Sequence, residues 1–227
     1  MRLSILPIVL RWGRLLTIGF LYLARPAAQA QSICTLLPVP LAERVQHAAL
    51  IVEGRVASQQ ALRQPDGHLV TRHALEVFKV FGGQLPAGPV QVCTPGGVLG
   101  AAAEVVSGAL TLQVGQQGIF LLAPDRRQPA ELQAYAGPQG FIGYDLATLT
   151  AQEPFTRYPA ISTGLYPALT SLLGHSYQTV QLNTELAAAQ ARAQRPTAHR
   201  LAALPVVSSF SPAIVTAGTS TASSTSP

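Results

Sequence analysis

Between residues 49 and 145 the apolar positions come in short runs, many alternating with polar ones, and Gly, Pro and Asp punctuate them. That period of two predicts strands. Residues 49–58 (ALIVEGRVAS) begin as a continuous apolar run and then alternate, as expected for a strand whose start is buried on both faces. Pro65-Asp66-Gly67 is a turn signal, and residues 68–80 (HLVTRHALEVFKV) alternate over their whole length. Both of their faces are partly apolar, which suits a long, bent strand passing through a small barrel. Residues 90–94 predict a third strand, Pro95-Gly96-Gly97 a turn, and residues 118–122 (GIFLL) a buried strand. Short candidates lie at 104–106 and 110–112, and residues 131–135 and 141–144 predict a last pair around Gly137-Pro138. The fold class expected is mainly β: a small β-barrel or sandwich-like domain followed by two helices.

The period changes near residue 155. Ser162 can cap a helix ending at Leu173, with Gly174 as its stop and Pro167 in its first turn, so the regular part starts near Tyr166. Asn183 can cap a second helix that runs to about Arg195 and is halted by Pro196, with a thin apolar stripe of Leu182, Leu186 and Ala189. That stripe reads as a docking helix or spacer, and the β-domain is expected to fold alone. Residues 204–214 are strand-like again, and the Ser/Thr-rich end, 216–227, predicts disorder.

The first thirty residues carry Arg2, Arg11 and Arg14, an apolar run at 15–23 and Ala28-Gln29-Ala30. This is the layout of a secretory signal peptide cleaved before Gln31, with an uncleaved N-terminal anchor as the alternative. The organisation expected is a signal at 1–30, a β-barrel-like domain at 31–158, a helical segment at 159–200 and a broken strand with its tail at 201–227. The location expected is secreted, periplasmic or cell-surface, with no membrane contact after cleavage.

Export changes the charge reading. The 227-residue chain has 15 basic and 10 acidic residues, net +5. Arg2, Arg11, Arg14 and Arg25 lie in the signal, which has no acidic residue, so the remainder is close to neutral at +1. A chain with one lysine, Lys79, and no basic run beyond Arg126-Arg127 offers no clustered surface for nucleic acid. Cys34 and Cys93 could pair as one disulfide in an oxidising compartment, with two free thiols as the alternative.

Candidate chemistry is sparse. His68 and His73 are five apart, so a strand points them to opposite faces, away from a shared metal. Gly174-His175-Ser176-Tyr177-Gln178 lacks the second glycine and preceding strand of a nucleophile elbow. Gly96-Gly97-Val98-Leu99-Gly100 lacks the lysine and helix of a phosphate loop and reads as a turn letting two strands approach. Asp66, Asp125 and Asp145 sit beside turns, where structural use is expected. No catalytic, cofactor-binding or metal-ligating residue is assigned, and the chain is read as non-enzymatic.

Ile51 to Val56 with its Glu-Gly-Arg-Val, Thr71-Arg72-His73 on to Phe81-Gly82-Gly83, Thr94-Pro95-Gly96-Gly97, and Val114 to Leu122 together resemble an N-terminal β-barrel module of secreted Bacteroidetes (Hymenobacter-like) proteins. Pro205-Val206-Val207-Ser208-Ser209-Phe210-Ser211-Pro212 and Thr216-Ala217-Gly218-Thr219 resemble the opening strand of an IPT/TIG domain, cut short here. These resemblances imply a non-catalytic exported interaction or accessory module, a fragment of a larger secreted protein. Its expected partner is an extracellular protein or polysaccharide. The alternative they imply is the N-terminal regulatory region of an exported metalloprotease.

Overall fold

A computed structural model describes residues 36–126 and 128–195. The signal peptide, Cys34 and the IPT/TIG-like strand with its tail lie outside the described residues.

The described part opens with a short helix, α1 (Leu41–His47), and continues into two long strands, β1 (Leu50–Arg63) and β2 (Leu69–Gly82). Strand β3 (Val90–Pro95) follows, then a small hairpin of β4 (Gly97–Leu99) and β5 (Ala102–Glu104). Strands β6 (Gln117–Pro124) and β7 (Leu132–Ala134) complete a closed five-stranded barrel, ordered β1-β2-β3-β7-β6 and sealed by β6 against β1. The mainly β expectation holds at that level. A 3-10 turn (Gly137–Gly140) leads to β8 (Phe141–Asp145), β9 (Thr150–Gln152) and β10 (Arg157–Tyr158), which extend the sheet from β6. The described part ends in a π-turn (Ile161–Leu165), α2 (Tyr166–Leu173), a two-residue strand β11 (Gln178–Thr179) on β2, and α3 (Thr184–Gln194).

Two expectations are corrected. The segments at 131–135 and 141–144 do not pair with each other; β7 and β8 both pair with β6. The reason is local: Ala136 takes a left-handed φ of 59° and the 3-10 turn carries the chain on along the same edge of β6, opposite β1, so β7 and β8 lie end to end on it. Residues 110–112 form no strand, and Leu110 and Leu112 instead plug the barrel core. The helical outline is matched in part. Helix α2 starts at Tyr166 and ends at Gly174 in the left-handed region, and Asn183 caps α3, but α1 was not expected. Leu182 is 69 % exposed, outside the stripe assigned to it.

The alternation of β1 and β6 divides two cores. Leu50, Val52, Val56, Phe120 and Leu122 point into the barrel with Leu75, Val77, Val90 and Val92. Ile51, Ile119 and Leu121 point outward, under Ile161, Leu165, Tyr166, Leu169 and Leu186 of the C-terminal segment. Each fully buried aliphatic side chain contributes about 1.5–3 kcal/mol. The helices thus share a core with the sheet and are no spacer.

Glu53 follows the same outward register and is fully buried beneath them. It accepts from Lys79 Nζ at 2.6 Å, Tyr166 Oη at 2.8 Å and Asn183 Nδ2 at 2.8 Å. Asn183 also donates to Gln117 and accepts from the Leu186 amide. Burial and the Glu53 charge push the Tyr166 phenol well above its ordinary range. At the other end, buried Arg44 of α1 pairs with buried Glu153 at 2.5 Å and donates to the Gln139 carbonyl. These networks fasten the first and last described helices to the sheet and its extension.

Candidate functional site

The barrel's weakest seam is its one parallel junction. Strands β3 and β7 meet only at Val92↔Leu132. Pro95 has no N–H with which to carry the ladder further, so the strands part beyond that pair. Clefts open along the parting.

Register places Arg72 of β2 beside Cys93 of β3 on the outer face. Glu131, at the end of the β6–β7 loop, reaches across the seam and pairs with Arg72 at 2.6 Å. The ion pair crosses a groove that continues on both sides of it. One arm, about 570 Å³, is lined by Gln84, Pro86, Pro89 and Gln91 together with Cys93 and Glu131. The other, about 600 Å³, is lined by Gln64, Asp66 and His68 of the β1–β2 loop, Glu104 of β5, and Asp125 and Gln128 of the β6–β7 loop. A third cleft, about 480 Å³, runs from Cys93 and Thr94 toward Tyr135.

The β4–β5 hairpin is folded back by Gly96, which takes φ +87°; a Cβ there would stand 2.7 Å from the Glu104 carbonyl oxygen. Gly97 approaches the β1–β2 ribbon as the sequence predicted, with space for no side chain beside Thr71. The fold-back delivers Glu104 to His68 Nδ1 at 3.0 Å and to the Leu69 amide at 2.7 Å. The Leu69 amide, then His68, hold the Glu104 carboxyl below its ordinary range. Beside this hairpin Val98, Leu99, Val105 and Val106 are exposed.

Cys93 is buried and its thiol is free in this structure; its expected partner, Cys34, lies outside the described residues. Burial foremost, then Glu131, pushes the thiol up to about 11, against the pull of Arg72. A thiol so placed is the opposite of an activated nucleophile. His68 and His73 are separated as predicted, His68 exposed in the groove and His73 inside the barrel, 2 % exposed. Among the described residues no three His, Cys, Asp or Glu side chains converge as a metal site. Of the aspartates, Asp66 accepts from the His68 amide and Asp145 from the amides of Ala147 and Thr148.

Sequence reasoning singled out Cys93 for a bridge but missed the groove around it. The signal available was Pro95, a ladder-breaker at the end of a strand. No protein-family model, curated protein or solved structure matches the chain, so the motif resemblances stand on those motifs alone.

Proposed function

We propose that this chain is a non-catalytic exported binding module that holds an extended, uncharged extracellular polymer, a polysaccharide foremost, in the groove across the β3–β7 seam. The observation that carries the reading is the groove's construction from the β1–β2 loop, the outer face of β2 and β3, and the β6–β7 loop. Five-stranded Greek-key barrels of the OB type bind oligosaccharides and oligonucleotides with their second and third strands and the equivalent loops. This barrel closes in the same kind of order, although shared architecture alone does not fix function.

The groove's chemistry narrows the ligand. Gln64, Gln84, Gln91, Gln128 and Gln133 line it, and amides both donate to and accept from hydroxyl groups. Among the described lining residues, Asp66, Glu104, Asp125 and Glu131 outnumber Arg72 and Arg126, which disfavours a polyanion. Arg72 is spent on Glu131, and Glu104 on the His68 ring and the Leu69 amide. That arrangement suits holding a ligand better than transforming one.

Affinity electrophoresis of the exported chain through gels loaded with neutral or acidic polysaccharides tests the reading. Retardation by a neutral polymer is expected, weakened in a Gln64→Ala/Gln133→Ala variant. Migration unchanged by every neutral polymer, or retardation indifferent to the variant, sinks it.

A further inference from the structure

Among the described residues the second half of β1 is an open sheet edge, and we infer that it docks the same edge of a second copy of this chain, antiparallel, about a two-fold axis. The first half of β1 is paired on both sides, with β2 and, from Leu50 to Arg55, with β6. Val56 makes the last exchange, donating to the Gln116 carbonyl and accepting from the Gly115 amide. A bulge follows between Val56 and Ser58. From there to Arg63 the only backbone pairing among the described residues is with β2.

The turn fixes which groups face outward. Gln64 donates to the His68 carbonyl, so the alternate pairs Leu62↔Val70 and Gln60↔Arg72 are the hydrogen-bonded ones. Gln59, Ala61 and Arg63 therefore direct their N–H and C=O groups away from β2. Gln59 and Arg63 are exposed, and no proline or lysine interrupts the row. Protein edges are ordinarily blunted by such residues or covered. This one carries only the bulge at its start and Arg63 at its end, and among the described residues nothing pairs with its outward side between them.

Its own residues favour a copy of itself as the occupant. Antiparallel pairing of the outward groups places Ala61 opposite Ala61 at the axis, and Gln59 opposite Arg63 on each side. The central residue is small, no like charges meet, and each guanidinium faces an amide carbonyl. The β4–β5 hairpin rests on the same ribbon face, where the Cβ that Gly97 lacks would lie 3.3 Å from the Ala61 Cβ. It carries Val98, 69 % exposed, and Leu99, 42 % exposed, beside the edge. Pairing two edges brings these aliphatic side chains in to flank the axis. This surface is separate from the seam groove, so its test does not depend on the polysaccharide reading.

Sedimentation velocity across a range of concentrations reads the dimer directly, and charge at position 59 reads the register. Gln59→Arg sets arginine opposite Arg63 twice in each dimer, whereas Gln59→Glu sets a carboxylate there. The wild type is expected to dimerise reversibly. Gln59→Arg should weaken the dimer on the order of tenfold and Gln59→Glu should tighten it, since cross-strand charge pairs of either sign act at this scale. The exposed position keeps both variants folded, which circular dichroism checks. A wild type that stays monomeric up to several hundred micromolar, or a dimer indifferent to the sign of charge at residue 59, overturns the inference. Monomeric protein that instead captures a foreign strand on this edge also overturns it.

Discussion

His73 lies within the barrel with Nε2 3.0 Å from the Thr94 hydroxyl, while Nδ1 has no hydrogen-bond partner among the described residues. Burial lowers its pKa, so the folded protein holds the ring neutral. The unfolded chain protonates the same ring near an ordinary histidine pKa of about 6.5. As pH falls through that value the unfolded state takes up a proton that the folded state refuses, and stability declines. The slope contributed is at most about 1.4 kcal/mol per pH unit and ends once pH drops below the folded-state pKa. Urea denaturation between pH 7.5 and 5 should show this loss in the wild type and a flatter profile in His73→Leu. An unchanged slope in the variant would clear His73 of the effect. The alternation around His73 was legible in the sequence, and so was its separation from His68. The burial of Glu53 was not, because its cover arrives from residues 79, 166 and 183, far along the chain.

Helix α3 shows how a single element joins local and distant signals. Its cap was legible, since Asn183 precedes a good helix-forming run and Pro196 follows it. The partners of its docking were not legible, because Asn183 also spends its amide on Glu53 and Gln117 across the sheet. Asn183→Ala removes the cap and leaves a buried carboxylate short of a donor. The expected cost is about 2–4 kcal/mol, above the roughly 1 kcal/mol of an ordinary cap. Asn183→Asp keeps the capping oxygen but sets a second carboxylate against Glu53, and should also destabilise. Equilibrium unfolding of the two variants checks this, and a loss in Asn183→Ala no larger than an ordinary cap would mean that the amide contacts contribute nothing. Strands were legible where turn residues bounded alternation, as in β1 and β2, or a short apolar run, as in β6. They were misread where a short segment found its partner at a distance. Leu110 and Leu112 alternate like a strand, yet the same spacing serves two plugs in an unpaired segment.

At the scale of the molecule the question is where the folding unit ends. The sequence suggested a β-domain complete by residue 158, because the strands precede the helices and bracket an apolar core. The barrel's outer face argues otherwise. Ile51, Phe81, Ile119, Leu121 and Ile142 are all essentially inaccessible, and Ile161, Leu165, Leu169 and Leu186 pack with them in one cluster. Those last four side chains contribute on the order of 6–12 kcal/mol by burial, an upper figure when the unfolded chain is itself compact. A whole domain is stable by only about 5–15 kcal/mol, so their removal consumes most of what holds it together. Ending the chain at 158 also leaves buried Glu53 with Lys79 alone, beneath a face newly open to water. The chain 31–158 is therefore expected to lose near-UV dichroism, bind a hydrophobic dye and melt without a cooperative transition. The chain 31–195 should unfold cooperatively at the full-length midpoint, since it keeps every described helix. A cooperative 31–158 with an unshifted midpoint would show that the barrel interior suffices and that the shared outer core is dispensable.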